Sequence, residues 1–169
     1  MRHCSTGAHE DGAALANLFQ SSGLITYTQG QKSAKQEFQA QASKAVTKSP
    51  LAVIVNRSTA GGCEIAAASL LHSKRAQLVG ERTYGDAAVR KAVTLADGSA
   101  VILSVAKYYS PDGKAIQDNG VTPNILQADV DLTAADAAAD DNLPEPPQEE
   151  KKPATDELLN RALKALPQE

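Results

Sequence analysis

The sequence predicts an α/β or α+β sheet domain, and three stretches carry that expectation. Leu51 to Val55 is a continuous apolar run bounded by Pro50 and Asn56, the pattern of a strand buried on both faces. A small-residue turn follows, then an Ala-rich helix over Glu64–Lys74 and a second short strand over Gln77–Gly80. Asp97 and Gly98, a strong turn pair, join two further strands, Ala88–Leu95 and Ser99–Tyr108, into a hairpin.

The remaining elements are read in chain order. Glu10–Gln20 is expected to be a helix with Ala14, Leu15, Leu18 and Phe19 toward the core, and Gly23 ends it before a strand over Leu24–Thr28. Gln31–Ser49 is polar and weakly patterned, as a helix or loop insertion would be. Residues 128–154, with an Ala/Asp run and LPEPPQEEKKP, read as a flexible, solvated linker, with an acidic recognition segment as the alternative. Thr155 is the expected N-cap of a last helix, 155–166. Its Leu158, Leu159, Ala162, Leu163 and Leu166 form one apolar stripe that should dock on the body or on a partner.

Composition narrows the function classes. The chain has 169 residues, 42% of them apolar but only 4% aromatic, so it can bury one ordinary core built from Ala, Leu, Val and Ile. Residues 129–150 hold eight acids (Asp129, Asp131, Asp136, Asp140, Asp141, Glu145, Glu149, Glu150) and no Lys or Arg. That leaves 12 of the 20 acids against all 17 bases elsewhere, so the net charge of −3 belongs to the tail. The mildly basic body shows no Lys/Arg cluster interleaved with aromatics, which argues against nucleic-acid binding. No apolar run is long enough to span a membrane, and no signal-peptide pattern is present.

The stretch Asn56–Asp86, NRSTAGGCEIAAASLLHSKRAQLVGERTYGD, concentrates the chemistry. A strand, a small-residue turn and a helix N-terminus is the layout of a nucleophile elbow, where exposed amides stabilise an oxyanion. Most such units are plain crossovers, so the layout alone identifies nothing.

The residues in it are more specific. They are similar to the C-terminal processing (tail-specific) proteases, whose nucleophile loop reads approximately NxGSASASEI and whose lysine follows in GExTFGKG. Asn56, Ala60, Glu64, Ile65, Gly80, Glu81, Thr83 and Gly85 anchor an ungapped register. Downstream, Leu95–Ile125 (LADGSAVILSVAKYYSPDGKAIQDNGVTPNI) resembles the family's LxDGSxLxLTxAxYYTPxGxxIxGxGIxPDI. Upstream, RHCSTG resembles its LRxNPGG loop, and DELLNRALKAL its last helix. The resemblance covers roughly residues 1–126 and implies part of the crotonase-like sheet-and-helix core of that catalytic domain, over 1–127. It also implies that an export signal, a peptide-binding PDZ domain and the first part of the catalytic domain would lie upstream.

The family's reactive groups do not carry over. A serine three positions before the glutamate attacks the peptide carbonyl in these proteases, with a neutral lysine as its base. The matching positions here are Gly61 and Asp86, and two associated positions are His72 and Arg90. Fallback nucleophiles are Ser58, whose ordinary role would be a turn or capping serine, and Cys63, whose thiol in a first helical turn would be more acidic than usual. Thr6, Gly7, Gly61 and Gly62 match the oxyanion and peptide-binding segments.

The resemblance brings the Cys4 loop toward the turn containing Cys63, so a disulfide between them is an expectation, suited to the periplasmic or extracellular setting of the family. A zinc site from His3, Cys4, His9 and Cys63 is a rival use with no strong spacing behind it. The functional expectation is a pseudoprotease that keeps binding to an extended peptide or protein, without cofactor or metal. The alternatives are an active serine-type or Cys63-dependent endopeptidase and a structural or oligomerisation module. A homodimer covering an open sheet edge is a further expectation.

Overall fold

The structure is a computed structural model and describes residues 1–129 and 156–167. Its chain order is α1 (His9–Asn17), β1 (Leu24–Gln29), β2 (Gln36–Gln39), β3 (Ala52–Val55), α2 (Gly62–His72), β4 (Gln77–Gly80), β5 (Ala88–Thr94), β6 (Ala100–Tyr109), β7 (Ile125–Leu126) and α3 (Glu157–Ala165). These elements build a four-stranded antiparallel sheet, β2-β1-β6-β5, and a three-stranded parallel sheet, β3-β4-β7. Mixed α/β architecture is thus what the buried run, the crossover helix and the hairpin indicated.

Helix α2 sits at the centre because its residues are small and apolar on every side. Gly62 through Leu70 are all buried, as befits a helix without a polar face. Ala66 packs toward Ala13, Ala16 and Ile25, whereas Ile65, Ala67, Ala68 and Leu70 join Val53, Val55, Leu78 and Tyr108 in the main core. The approach of α1 is close enough that a Cβ on Gly12 would stand 2.0 Å from the Gly62 carbonyl oxygen. Only glycine fits there, and this contact fixes where α1 begins relative to the turn before α2.

Several expectations need correction. Helix α1 runs from His9 to Asn17, and Ala14 and Leu18 face solvent while Gly12, Ala13, Ala16 and Asn17 are buried. The small residues point inward because α1 lies against another backbone and leaves no room for Leu. Within Gln31–Ser49, Gln36–Gln39 is an edge strand, followed by a single 3-10 turn at Ala42–Lys44. Its polar character reflects solvent on an exposed edge and hid it from pattern reading.

The last helix is capped by Asp156, which accepts from the Leu159 amide at 3.0 Å. Thr155 and the expected linker from residue 130 onward lie outside the described residues. Asp129, placed in that linker by composition, is 4% exposed and held in the body. Leu158 and Ala162 bury themselves on Val79 with Ala52, Ile54 and Ile125 alongside, so α3 docks on the outer face of β3 and β4. Leu159 and Leu163 from the same expected stripe stay exposed.

Candidate active site

The turn between β3 and α2 is built by its own small residues. The Asn56 amide donates to the Thr59 hydroxyl at 3.0 Å, and that hydroxyl donates to the Met1 carbonyl at 3.0 Å. The Ala60 amide donates to the Cys4 carbonyl at 2.8 Å, and Cys4 is joined to Cys63 with a Cα–Cα separation of 6.2 Å. Segment 1–8 is therefore fastened to the turn by both hydrogen bonds and a covalent bridge. Gly61 occupies the apex at φ 63° and ψ −131°, a conformation open to glycine and costly for other residues.

Glu64, one turn into α2, organises what surrounds that apex. Its carboxylate is fully buried and takes four donors: the amides of Gly61 (3.1 Å), Gly85 (2.7 Å) and Asp86 (2.8 Å), and the Thr83 hydroxyl. Thr83 Oγ in turn accepts from the Val121 amide at 2.7 Å. One side chain thus ties the turn to the loop between β4 and β5 and to the chain before β7. Burial pushes the Glu64 carboxyl above its ordinary value, and the bonds from Thr83 and the three amides pull the other way.

That carboxylate brings Asp86 to the apex. A Cβ built on Gly61 would meet nothing nearer than the Asp86 carbonyl oxygen at 4.0 Å. The Asp86 carboxylate forms an ion pair with Arg90, four residues along. The Asp86 backbone therefore lies beside an apex that has no side chain, and the Asp86 carboxylate is paired with Arg90.

Neighbouring groups complete the rim. His9 Nε2 lies 3.2 Å from the Asp86 carbonyl, and since a carbonyl only accepts, this contact requires the proton on Nε2. The His9 ring stacks on Tyr108 with centroids 5.1 Å apart. Tyr108 is itself held up to about 12 by burial first and then by the Glu10 carboxylate.

The other candidates fall in different positions. Gly62 is buried at the first turn of α2, whose leading amides have no intrahelical partner. Thr6 and Gly7 are exposed, and the adjoining Ala8 carbonyl reaches 2.7 Å from where a Gly62 Cβ would stand. Ser58 is half-buried on the approach to the turn rather than at its apex. Cys63 is consumed by its bond to Cys4, which also removes both sulfurs from any zinc site. Among the described residues no cluster of His, Cys, Asp and Glu is set to hold a metal. His72 lies in the last turn of α2, at the opposite end of the helix from Gly61.

Sequence reading named Glu64 only as a register anchor, His9 only as a zinc candidate and Asp129 only as one of an acidic run, and missed the place of each at the site. Glu64 offered a signal, since an acid three residues after a cap position reaches back to the cap amide. His9 gave none, because its partner is 77 positions away. The third is a cluster in which Arg2 grips Asp129 at 2.7 Å and Asp156 at 2.7 Å, while Asn56 Nδ2 donates to Asp129 at 2.9 Å. Asp129 was hidden in an acidic run whose other members all resemble it.

The strand, the glycine-apexed turn and the buried central helix, with a following loop fastened to the turn by one carboxylate, recur in a family of known proteins. Residues 1–127 match the model of peptidase family S41. The chain is 35% identical over 125 residues to the chloroplastic carboxyl-terminal-processing peptidase 2 of Arabidopsis thaliana, covering 73% of this chain and 24% of that protein. It is 37% identical over 120 residues to the carboxy-terminal processing protease of Bacillus subtilis, covering 70% and 26%. Among solved structures, the photosystem II D1 C-terminal processing protease superposes with a TM-score of 0.69 at 31% identity, over 75% of this chain and 33% of that one.

The chain belongs to peptidase family S41. It spans about a quarter of the length of these two curated relatives. Among the described residues no helix is long and apolar enough to cross a membrane.

Proposed function

We propose that this chain is a pseudoprotease of the C-terminal processing family, which binds an extended peptide or protein partner and does not hydrolyse it. The observation that carries the reading is Gly61 at the apex of the turn, beside the Asp86 backbone, with the Asp86 carboxylate already paired with Arg90. An acyl transfer needs an attacking atom beside a base able to take its proton. The apex supplies no attacking atom, and the Asp86 carboxylate is engaged by the Arg90 guanidinium, with no hydroxyl or thiol at the apex for it to act on.

Binding is retained in this reading because the Glu64 bonds and the Cys4–Cys63 bridge keep the turn, the Thr6–Gly7 loop and the helix N-terminus in place. Extended peptides dock on such edges by adding a strand. A disulfide that closes the site suits an oxidising compartment, in line with a periplasmic, extracellular or lumenal setting.

The second reading, a Cys63-dependent peptidase, requires the bridge to open first. Both are tested with an unstructured fluorogenic peptide incubated with the purified chain, with and without reductant, beside Cys63→Ala and the double variant Gly61→Ser/Asp86→Lys. The expected outcome is saturable binding without turnover for the chain and for Cys63→Ala, and turnover at a rate above background only in the double variant. Turnover by the unaltered chain, abolished in Cys63→Ala, would replace the pseudoprotease reading with the thiol one.

A further inference from the structure

A second concavity lies at the other end of α2. The last turns of that helix and the segment 110–122 enclose a cleft of about 540 Å³, inside the range typical of small-molecule sites. Leu71, Ile116 and Val121 supply an apolar wall, and His72, Arg82 and Lys114 stand around it with a single carboxylate, Asp112.

The charges there are unevenly matched. Asp112 accepts from the Ser110 hydroxyl and pairs with Lys114 at 3.0 Å, so that acid and that base offset one another. Arg82 is different. Its Nε donates to the Asn119 carbonyl at 2.6 Å, which orients the guanidinium, and its terminal nitrogens meet no acceptor among the described residues. Arg82 is exposed at the mouth of the cleft, and the edge formed by its two terminal nitrogens matches a carboxylate in bidentate fashion; one such charge beside an apolar wall suits one anionic group on an apolar body.

We propose that this cleft binds a small monocarboxylic acid with an apolar body, its carboxylate on Arg82 and its body against Leu71, Ile116 and Val121. The site shares no residue with the Gly61 turn, so it stands whether or not the chain cleaves peptides. Phenylbutyrate titrated into the whole 169-residue chain, followed by amide NMR shifts, tests it. Saturating shifts are expected at Leu71, Arg82, Gly120 and Val121 with a dissociation constant of about 1 mM or below.

The neutral phenylbutyramide should bind about tenfold more weakly, because it lacks the charge-assisted pair. Arg82→Gln should weaken the acid by about the same factor and leave the amide where it was. Equal affinity for acid and amide, or no saturating shift at the cleft by about 10 mM, would overturn the assignment without requiring any variant to fold.

Discussion

The Gly61 turn and the far end of the β5–β6 hairpin are opposites in how they are held. Around the turn, long-range bonds converge: Glu64 takes four donors from two segments, the Cys4–Cys63 bridge closes a separation of 59 residues, and Asn56 is buried with no exposure. At the hairpin's far end every residue from 91 to 104 is exposed, Ile102 by 70%, and the bonds are local ones of the ladder and of the Asp97–Ser99 turn. An isolated two-stranded ribbon is marginal in water. The contrast teaches that stability in this chain is invested where a peptidase would do its chemistry, even though the apex there carries no reactive side chain.

Removing the bridge gives the sharpest test of that contrast. Replacing Cys4 and Cys63 together by Ser should cost about 4 kcal/mol in denaturant unfolding, from the loop-closure entropy returned to the unfolded chain. Ile102→Thr on the hairpin should stay within about 0.5 kcal/mol. Equal losses would erase the distinction between the two regions.

Helix α3 should behave like the turn rather than like the hairpin. Leu158 is 2% exposed against Val79, and Leu158→Ala should cost about 3 kcal/mol by transfer and cavity terms together. Amide exchange over Glu157–Ala165 would accelerate with it, whereas a loss below about 0.5 kcal/mol would show that the helix is only loosely applied.

The smallest effect is electrostatic. Burial raises the folded Glu64 carboxyl above its ordinary 4.5, so the folded state holds that proton more tightly than the unfolded chain does. This contribution to stability is fully present below pH 4.5 and is lost as pH rises through the raised folded value. Carboxyl NMR should place the Glu64 midpoint above 4.5. A midpoint below it would mean that the four donors outweigh desolvation.

Much of the fold was legible because its signals are local. The run Leu51–Val55, the Ala-rich helix and the Asp97-Gly98 turn each read correctly from neighbours within a few residues, and the structure has β3, α2 and the β5–β6 hairpin there. Gln36–Gln39 was not legible, since a polar edge strand alternates nothing. At the last helix Thr155 and Asp156 are adjacent capping residues; Asp is the stronger cap of the two, and Arg2 adds a tertiary contact to it that no local pattern encodes. The placement of Gly61 beside Asp86 is likewise a matter of bonds spanning about 20 residues, which Glu64 makes and no periodicity encodes.

Arg2 is where the two described ends of the polypeptide meet. Its guanidinium holds the Asp156 cap of α3 and the Asp129 anchor, and two residues later the backbone enters the covalent crossbar to Cys63, itself two residues beyond Gly61. Beside its apolar seat on β3 and β4, the last helix thus has a polar tether, through one side chain and one sulfur bridge, to the residues around the vacant apex.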